Sequence, residues 1–255
     1  MIKSNPVIFH LSALVLLLTL SSCAATHFRR NVKSLDEIAI LEKTLIPAGD
    51  SKQFALISGR DTSNPVLLNI HGGPGTPSTA LFRKYNQKLE EHYTVVYWEQ
   101  RGAGMSYDKH MPDSLLTLSR FIQDGHEVTA YLKKRFHKDK IFVLGHSWGS
   151  FLGIHLIQKY PEDYHAFVGV GQVADQSRSE TLSYQYVYKQ AQKRSNKKAL
   201  KKLQAIGPYS QKNIEQTGMI EWLMSERKWV KKFGGATYNP DFMKDIIKAI
   251  LFSKD

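Results

Sequence analysis

Ile141-Phe142-Val143-Leu144-Gly145-His146-Ser147-Trp148-Gly149-Ser150 decides how the rest of the chain is read. Four apolar residues without polar alternation predict a strand covered on both faces. The apolar stretch from Trp148 to Tyr160, stopped by Pro161, predicts a helix directly behind it. A bare G-x-S-x-G is weak evidence. Between a strand and a helix it predicts a sharp turn that lifts the Ser147 hydroxyl above the sheet at a helix N-terminus. Backbone N–H groups and the helix dipole there favour developing negative charge, as a serine nucleophile requires.

Outward from this turn, Val66 to Ile70, Tyr93 to Trp98 and Ala166 to Val173 are further apolar or β-branched runs. They are separated by longer amphipathic stretches, of which Leu118 to Phe136 has the clearest helical spacing. Strands alternating with helices predict an α/β fold with a mainly parallel sheet. Upstream, Ile38 to Ile46 and Phe54 to Ile57 flank Pro47-Ala48-Gly49-Asp50 and predict an antiparallel hairpin. Directly after Ile70 comes His71-Gly72-Gly73-Pro74-Gly75, whose glycines allow close backbone approach to a bound carbonyl. The N–H groups of Gly73 and Trp148 are the candidate oxyanion hole. After Trp98, Glu99-Gln100-Arg101-Gly102-Ala103-Gly104-Met105-Ser106 forms a Gly-rich turn at a strand's C-terminal end, where α/β sites lie. It lacks the G-x-G-x-x-G phosphate fingerprint, so nucleotide binding is not supported.

In order and spacing, HGGPG, EQRGAGMS and GHSWGS resemble the α/β-hydrolase superfamily and, within it, the proline iminopeptidase branch. The resemblance spans residues 38–255 and implies a cofactor-free, metal-free serine hydrolase that removes N-terminal residues, preferably proline, from peptides. It also places a helical cap after Asp175. Two positions depart from the branch: His146 stands where Gly is common, as in esterases of the superfamily, and Glu99 where many members have Asp. An esterase or other small-amide hydrolase is the alternative enzyme. The alternative outside enzymology is a non-catalytic surface lipoprotein.

In the superfamily the serine is followed by an acid and then a histidine. Only His155 and His165 follow Ser147. His155 lies about 12 Å along the helix axis, and His165 precedes the next strand, so both read as structural or surface residues. Asp175, at a strand's C-terminal end, is the candidate acid. The expectation is that the last strands and the catalytic His are absent from this 255-residue sequence. That would leave Ala166–Val173 at an unpaired sheet edge and make turnover by this chain alone doubtful.

The N-terminus has a different composition. Lys3, an apolar run from Val7 to Leu20 too short to span a bilayer comfortably, and Leu20-Ser21-Ser22-Cys23 resemble a signal peptide ending in a bacterial lipobox. The reading is signal peptide 1–22, lipidated Cys23 with a polar tether 23–36, hydrolase core 37–175 and helical cap 176–255. It implies a membrane-anchored lipoprotein of the bacterial cell envelope, with the domain outside the cytoplasm. Cys23 is the only cysteine, which excludes an intramolecular disulfide and a Cys-based zinc site.

The formal charge is +12, and residues 176–255 hold 16 Lys/Arg against 7 Asp/Glu. Helices are expected at 178–204, at 211–232 with a break, and at 240–252. The basic segment Lys189–Lys202 lacks interleaved aromatics or a nucleic-acid module, and anionic lipid fits it better. Glu180, Glu215, Glu221 and Glu226 are candidates to hold a peptide amino group, with surface ion pairs as their ordinary role.

Overall fold

The computed structural model describes residues 39–235 and residue 244. The signal segment, Cys23, the tether and the helix expected at 240–252 lie outside them, Lys244 apart. Six strands form one sheet: β1 (Ile40–Ala48), β2 (Ser51–Gly59), β3 (Val66–Ile70), β4 (Thr94–Trp98), β5 (Ile141–His146) and β6 (Tyr164–Val170). Their order is β1-β2-β4-β3-β5-β6. The pairs β1/β2 and β2/β4 are antiparallel, and the other three are parallel.

Alternate residues of the central strands face opposite layers. Val66, Leu68, Ile70, Val96, Trp98, Ile141 and Val143 pack against α2 (Leu118–Phe136) and α3 (Trp148–Lys159) through Phe121, Val128, Leu132, Leu152 and Leu156. On the other face, Leu67, Val95 and Tyr97 meet Phe82 of α1 (Thr79–Asn86) and Leu89. Every residue of β3 and β4 is buried, which explains why apolar residues follow one another there, Asn69 and Thr94 apart. Helix α2 has its expected bounds. Thr117 caps it by accepting the Arg120 N–H, and His137 ends it in the left-handed conformation.

The structure shifts several expected boundaries. The hairpin turn is only Gly49-Asp50, since Pro47 pairs with Lys52 inside the ladder. Proline is tolerated there because β1 is an edge strand. The strand expected at Ala166–Val173 starts at Tyr164 and stops before Gly171, whose φ of 59° breaks the extended run. Nor is it covered on both faces. Paired only with β5 among the described residues, it leaves Val168 and Val170 52% and 44% exposed.

Beyond Asp175 the elements among the described residues are helices. The single helix expected at 178–204 is two, α4 (Gln176–Lys193) and α5 (Lys197–Ile206), parted by Ser195 at φ 48° and the cap Asn196. After them, α6 (Gln211–Thr217) and α7 (Met219–Lys232) break at Gly218, φ 83°. These helices enclose their own core of Tyr184, Val187, Leu203, Trp222, Trp229 and Phe233. Among the described residues no helix is long and apolar enough to cross a membrane.

Candidate active site

The site follows from strand order. The loop after β3 leads to α1 on one face of the sheet, and the turn after β5 leads to α3 on the other. Adjacent parallel strands whose connections part in this way open a crevice beyond their carboxyl ends. Ser147 stands at that crevice with φ 54° and ψ −118°, a conformation costing a non-glycine residue about 1–3 kcal/mol. The turn holds it there. The Ser147 N–H donates to the Val170 carbonyl at 2.9 Å, and the Ser147 carbonyl accepts the Ser150 N–H and hydroxyl at 2.8 and 2.6 Å. Both motif glycines are needed sterically. A Cβ at Gly145 would overlap the Gly149 carbonyl, and one at Gly149 would overlap that of Ile70.

The loop after β3 lies directly against this turn, since a Cβ on Gly72 would come within 3.3 Å of the Ser147 Cβ. Gly73 takes φ 128°, and its neighbours' backbone N–H groups crowd the place a side chain would occupy. Trp148 is the first residue of α3, so its N–H belongs to the first turn, which has no intrahelical acceptor. The Trp148 N–H, one of the two expected to form an oxyanion hole, thus stands next to Ser147, and the loop that carries Gly73 lies against the same turn.

A third loop ties the first two together through Gln100, which is 1% exposed. Its side-chain amide donates to the His71 carbonyl at 2.9 Å and accepts the Trp148 indole N–H at 3.0 Å. Its backbone N–H donates to His71 Nε2 at 3.1 Å, while His71 Nδ1 donates to the Gly72 carbonyl at 2.7 Å. With a donor on one ring nitrogen and an acceptor on the other, the His71 tautomer is fixed. Burial pushes its pKa below the ordinary imidazole value, partly opposed by the Gly72 carbonyl. His71 therefore acts as a neutral spacer. Sequence reasoning missed this network; the only signal was a polar residue directly after a strand end.

Glu99 and Arg101 serve the same scaffold. Glu99 accepts the Thr79 hydroxyl at 3.0 Å and the Met105 N–H at 2.7 Å, pinning its own loop. Arg101 forms a two-pronged pair with the fully buried Asp124, at 2.7 and 2.9 Å, and reaches Asp50 at 2.8 Å. Asp124 also accepts from Gln53 and Arg120. Its hydrogen bonds to Asp124 hold the Arg101 pKa above the ordinary guanidinium value. Beside Trp148 opens a cleft of about 380 Å³ lined in part by Pro74, Tyr107, Met111, Leu116 and Phe121; Ser147 itself is not in its wall.

The remaining candidates fall elsewhere. Asp175 is exposed and caps α4 by accepting the Arg178 N–H at 2.9 Å. His155 packs edge-on against Phe151. His165 lies inside β6, not before it, with its ring over Phe142. Among the described residues no imidazole is hydrogen-bonded to the Ser147 hydroxyl, and no cluster of His, Cys, Asp and Glu is arranged to hold a metal. Of the cap glutamates, Glu215 pairs with Gln211 at the surface. Glu180 and Glu226 are not surface residues: they are 2% and 0% exposed and share Arg227. Helix packing brings Arg227 to Glu180 across 47 positions, which sequence spacing does not reveal.

Comparison with known proteins agrees with this geometry. The chain is 41% identical over 150 residues to a protein named probable aminopeptidase YbaC of Bacillus subtilis (strain 168), covering 59% of this chain and 46% of that protein. It is 26% identical over 181 residues to a proline iminopeptidase of Clostridium botulinum, covering 67% and 56%. The chain spans about half the length of these curated relatives. Among solved structures, the proline iminopeptidase of Mycobacterium smegmatis superposes with a TM-score of 0.56 at 18% identity over 82% of this chain and 66% of that one, a likeness of fold. Residues 65–240 match the family model described as the alpha/beta hydrolase fold. That match takes in more than half of the chain and all three loops of the crevice, and the chain belongs to the α/β-hydrolase fold family.

Proposed function

We propose that the protein is a serine hydrolase of the aminopeptidase kind that removes N-terminal residues, with a preference for proline, from short peptides. The observation that carries the reading is the strained turn at Ser147, locked through the Gln100 side chain to the loops that follow β3 and β4. Support for peptide substrates comes from the relatives named aminopeptidase and proline iminopeptidase.

In this mechanism the Ser147 oxygen attacks the carbonyl carbon of the N-terminal residue. The N–H groups of Gly73 and Trp148 hold the oxygen that becomes negative, and the shortened peptide leaves as the amine. Water then hydrolyses the acyl-enzyme. A base must take the Ser147 proton, and none of the described imidazoles is assigned to that task. A group that bonds the peptide's free amine belongs to the same reading, with the buried Glu180–Arg227–Glu226 cluster as a carboxylate-rich candidate in the cap.

Assay of a proline arylamide beside a p-nitrophenyl ester tests the substrate class. The reading expects arylamide turnover that disappears in Ser147→Ala. Ester turnover without arylamide turnover would make the protein an esterase, the reading that His146 in GHSWG favours. The proposal also places the protein at a membrane of the bacterial envelope through acylated Cys23. After a high-salt wash that screens surface charge, release of Cys23→Ser from the membrane fraction is the expected result, and unchanged retention would refute the anchor.

A further inference from the structure

From Thr181 to Ile206 the chain has seven Lys/Arg and no Asp or Glu. Lys189 and Lys193 lie on α4, and Lys197, Lys198, Lys201 and Lys202 on α5; all six are exposed. None of the six has an ion-pair partner among the described residues. The buried face of α5 is Ala199, Leu203 and Ile206, one residue per turn. Lys197 and Lys201 project opposite that face, and Lys198 and Lys202 flank it.

The placement does not serve the cap's own stability. Lys197 and Lys198 sit in the first turn of α5, where the helix dipole disfavours cations, and no basic residue occupies its last turn. The pairs 197/201 and 198/202 are like charges at i, i+4 and repel. The cations that do pack in the cap lie elsewhere: Arg227 bridges two buried carboxylates, Arg194 lies over the Phe233 ring at 4.8 Å and Lys232 over the Trp229 ring at 5.0 Å. The six lysines of α4 and α5 make no such contact among the described residues.

We propose that this lysine face is a docking surface for an anionic phospholipid bilayer. Lysines are point charges without the planar fork that reads individual phosphates, which suits a diffuse surface of headgroups. The aromatic side chains of the segment are occupied in the cap. Tyr184 bonds the Leu203 carbonyl and stacks on Tyr188, and Tyr186 bonds the Phe233 carbonyl. They offer no stacking platform for single-stranded nucleic acid. The surface stands on this charge pattern alone, independently of both the hydrolase reading and the anchor at Cys23.

Co-sedimentation of the full chain carrying Cys23→Ser tests it. The vesicles are phosphatidylcholine alone, or phosphatidylcholine with about one-third phosphatidylglycerol. Binding is expected to require phosphatidylglycerol and to fall with added salt. Substitution of Lys197, Lys198, Lys201 and Lys202 by Gln is expected to weaken it about tenfold or more, while the same four changed to Arg retain it. The Lys197→Gln, Lys201→Gln double variant provides the same reading at smaller amplitude should the quadruple variant not fold. Equal binding to both vesicle types, or binding unaffected by the Gln variants, would overturn the proposal. Tighter binding to duplex DNA than to the anionic vesicles at the same salt would also overturn it, assigning the face to nucleic acid.

Discussion

The buried charges around the sheet and the lysines of α4 and α5 are held in opposite ways. Around the sheet, the buried charges are matched: Arg101 with Asp124, Glu90 with Arg83, Asp163 with Lys133. In the cap, one arginine joins two buried glutamates, while six lysines stand in solvent without partners among the described residues. Buried pairs cost desolvation and return positional precision, which loops around a reacting serine need. Exposed charges return little stability and suit recognition of something outside the fold. The difference separates residues that build the site from residues that meet its surroundings.

The largest break in that comparison is expected at Asp124. Asp124→Ala strands the buried Arg101 charge and should cost about 3–5 kcal/mol in urea unfolding. Lys201→Ala in the cap should stay within about 0.5 kcal/mol. Comparable losses at the two positions would erase the distinction. Next is Gln100→Leu, which leaves the His71 carbonyl and the Trp148 indole without their partner. It should lower kcat/KM for a proline arylamide about a hundredfold by loosening the crevice. Unaltered kinetics would mean that the network does not position the site.

A smaller effect is expected from His71. Its folded pKa lies below the ordinary value of about 6.5, so the unfolded chain binds the proton more readily. Its contribution to stability is therefore complete above about pH 6.5 and declines as pH falls toward the folded value, by at most about 1.4 kcal/mol per pH unit. The slope should flatten in His71→Asn, read from urea midpoints against pH. The smallest effect is at the serine itself. Ser147→Gly removes the cost of a positive φ and should stabilise the fold by about 1 kcal/mol in the same urea titration while abolishing turnover.

Much of this organisation is visible in the residues. Val66–Ile70 and Leu118–Phe136 appear with their expected bounds because a mostly apolar run without alternation and a 3.6-residue stripe are local signals. The serine turn is legible because its glycines serve steric needs on either side of one residue. Helix α1 gave too short a signal: its eight residues, none of them buried, are too few for a sustained apolar stripe. The α4–α5 break hides in a lysine-rich run, where neither Gly nor Pro announces it. Within the site, the contacts among His71, Gln100 and Trp148 span 29 and 48 positions. They arise only when strand order brings three loop ends together, which no periodicity encodes. Burial of Glu180 and Glu226 likewise comes from helix packing around Arg227.

The central claim is that Ser147 is the nucleophile. Reaction of the protein with a fluorophosphonate, followed by peptide mapping, tests it without assuming a substrate. The account predicts one adduct, on Ser147, absent from Ser147→Ala. An adduct on another residue, labelling that survives in Ser147→Ala, or no adduct at all would contradict it.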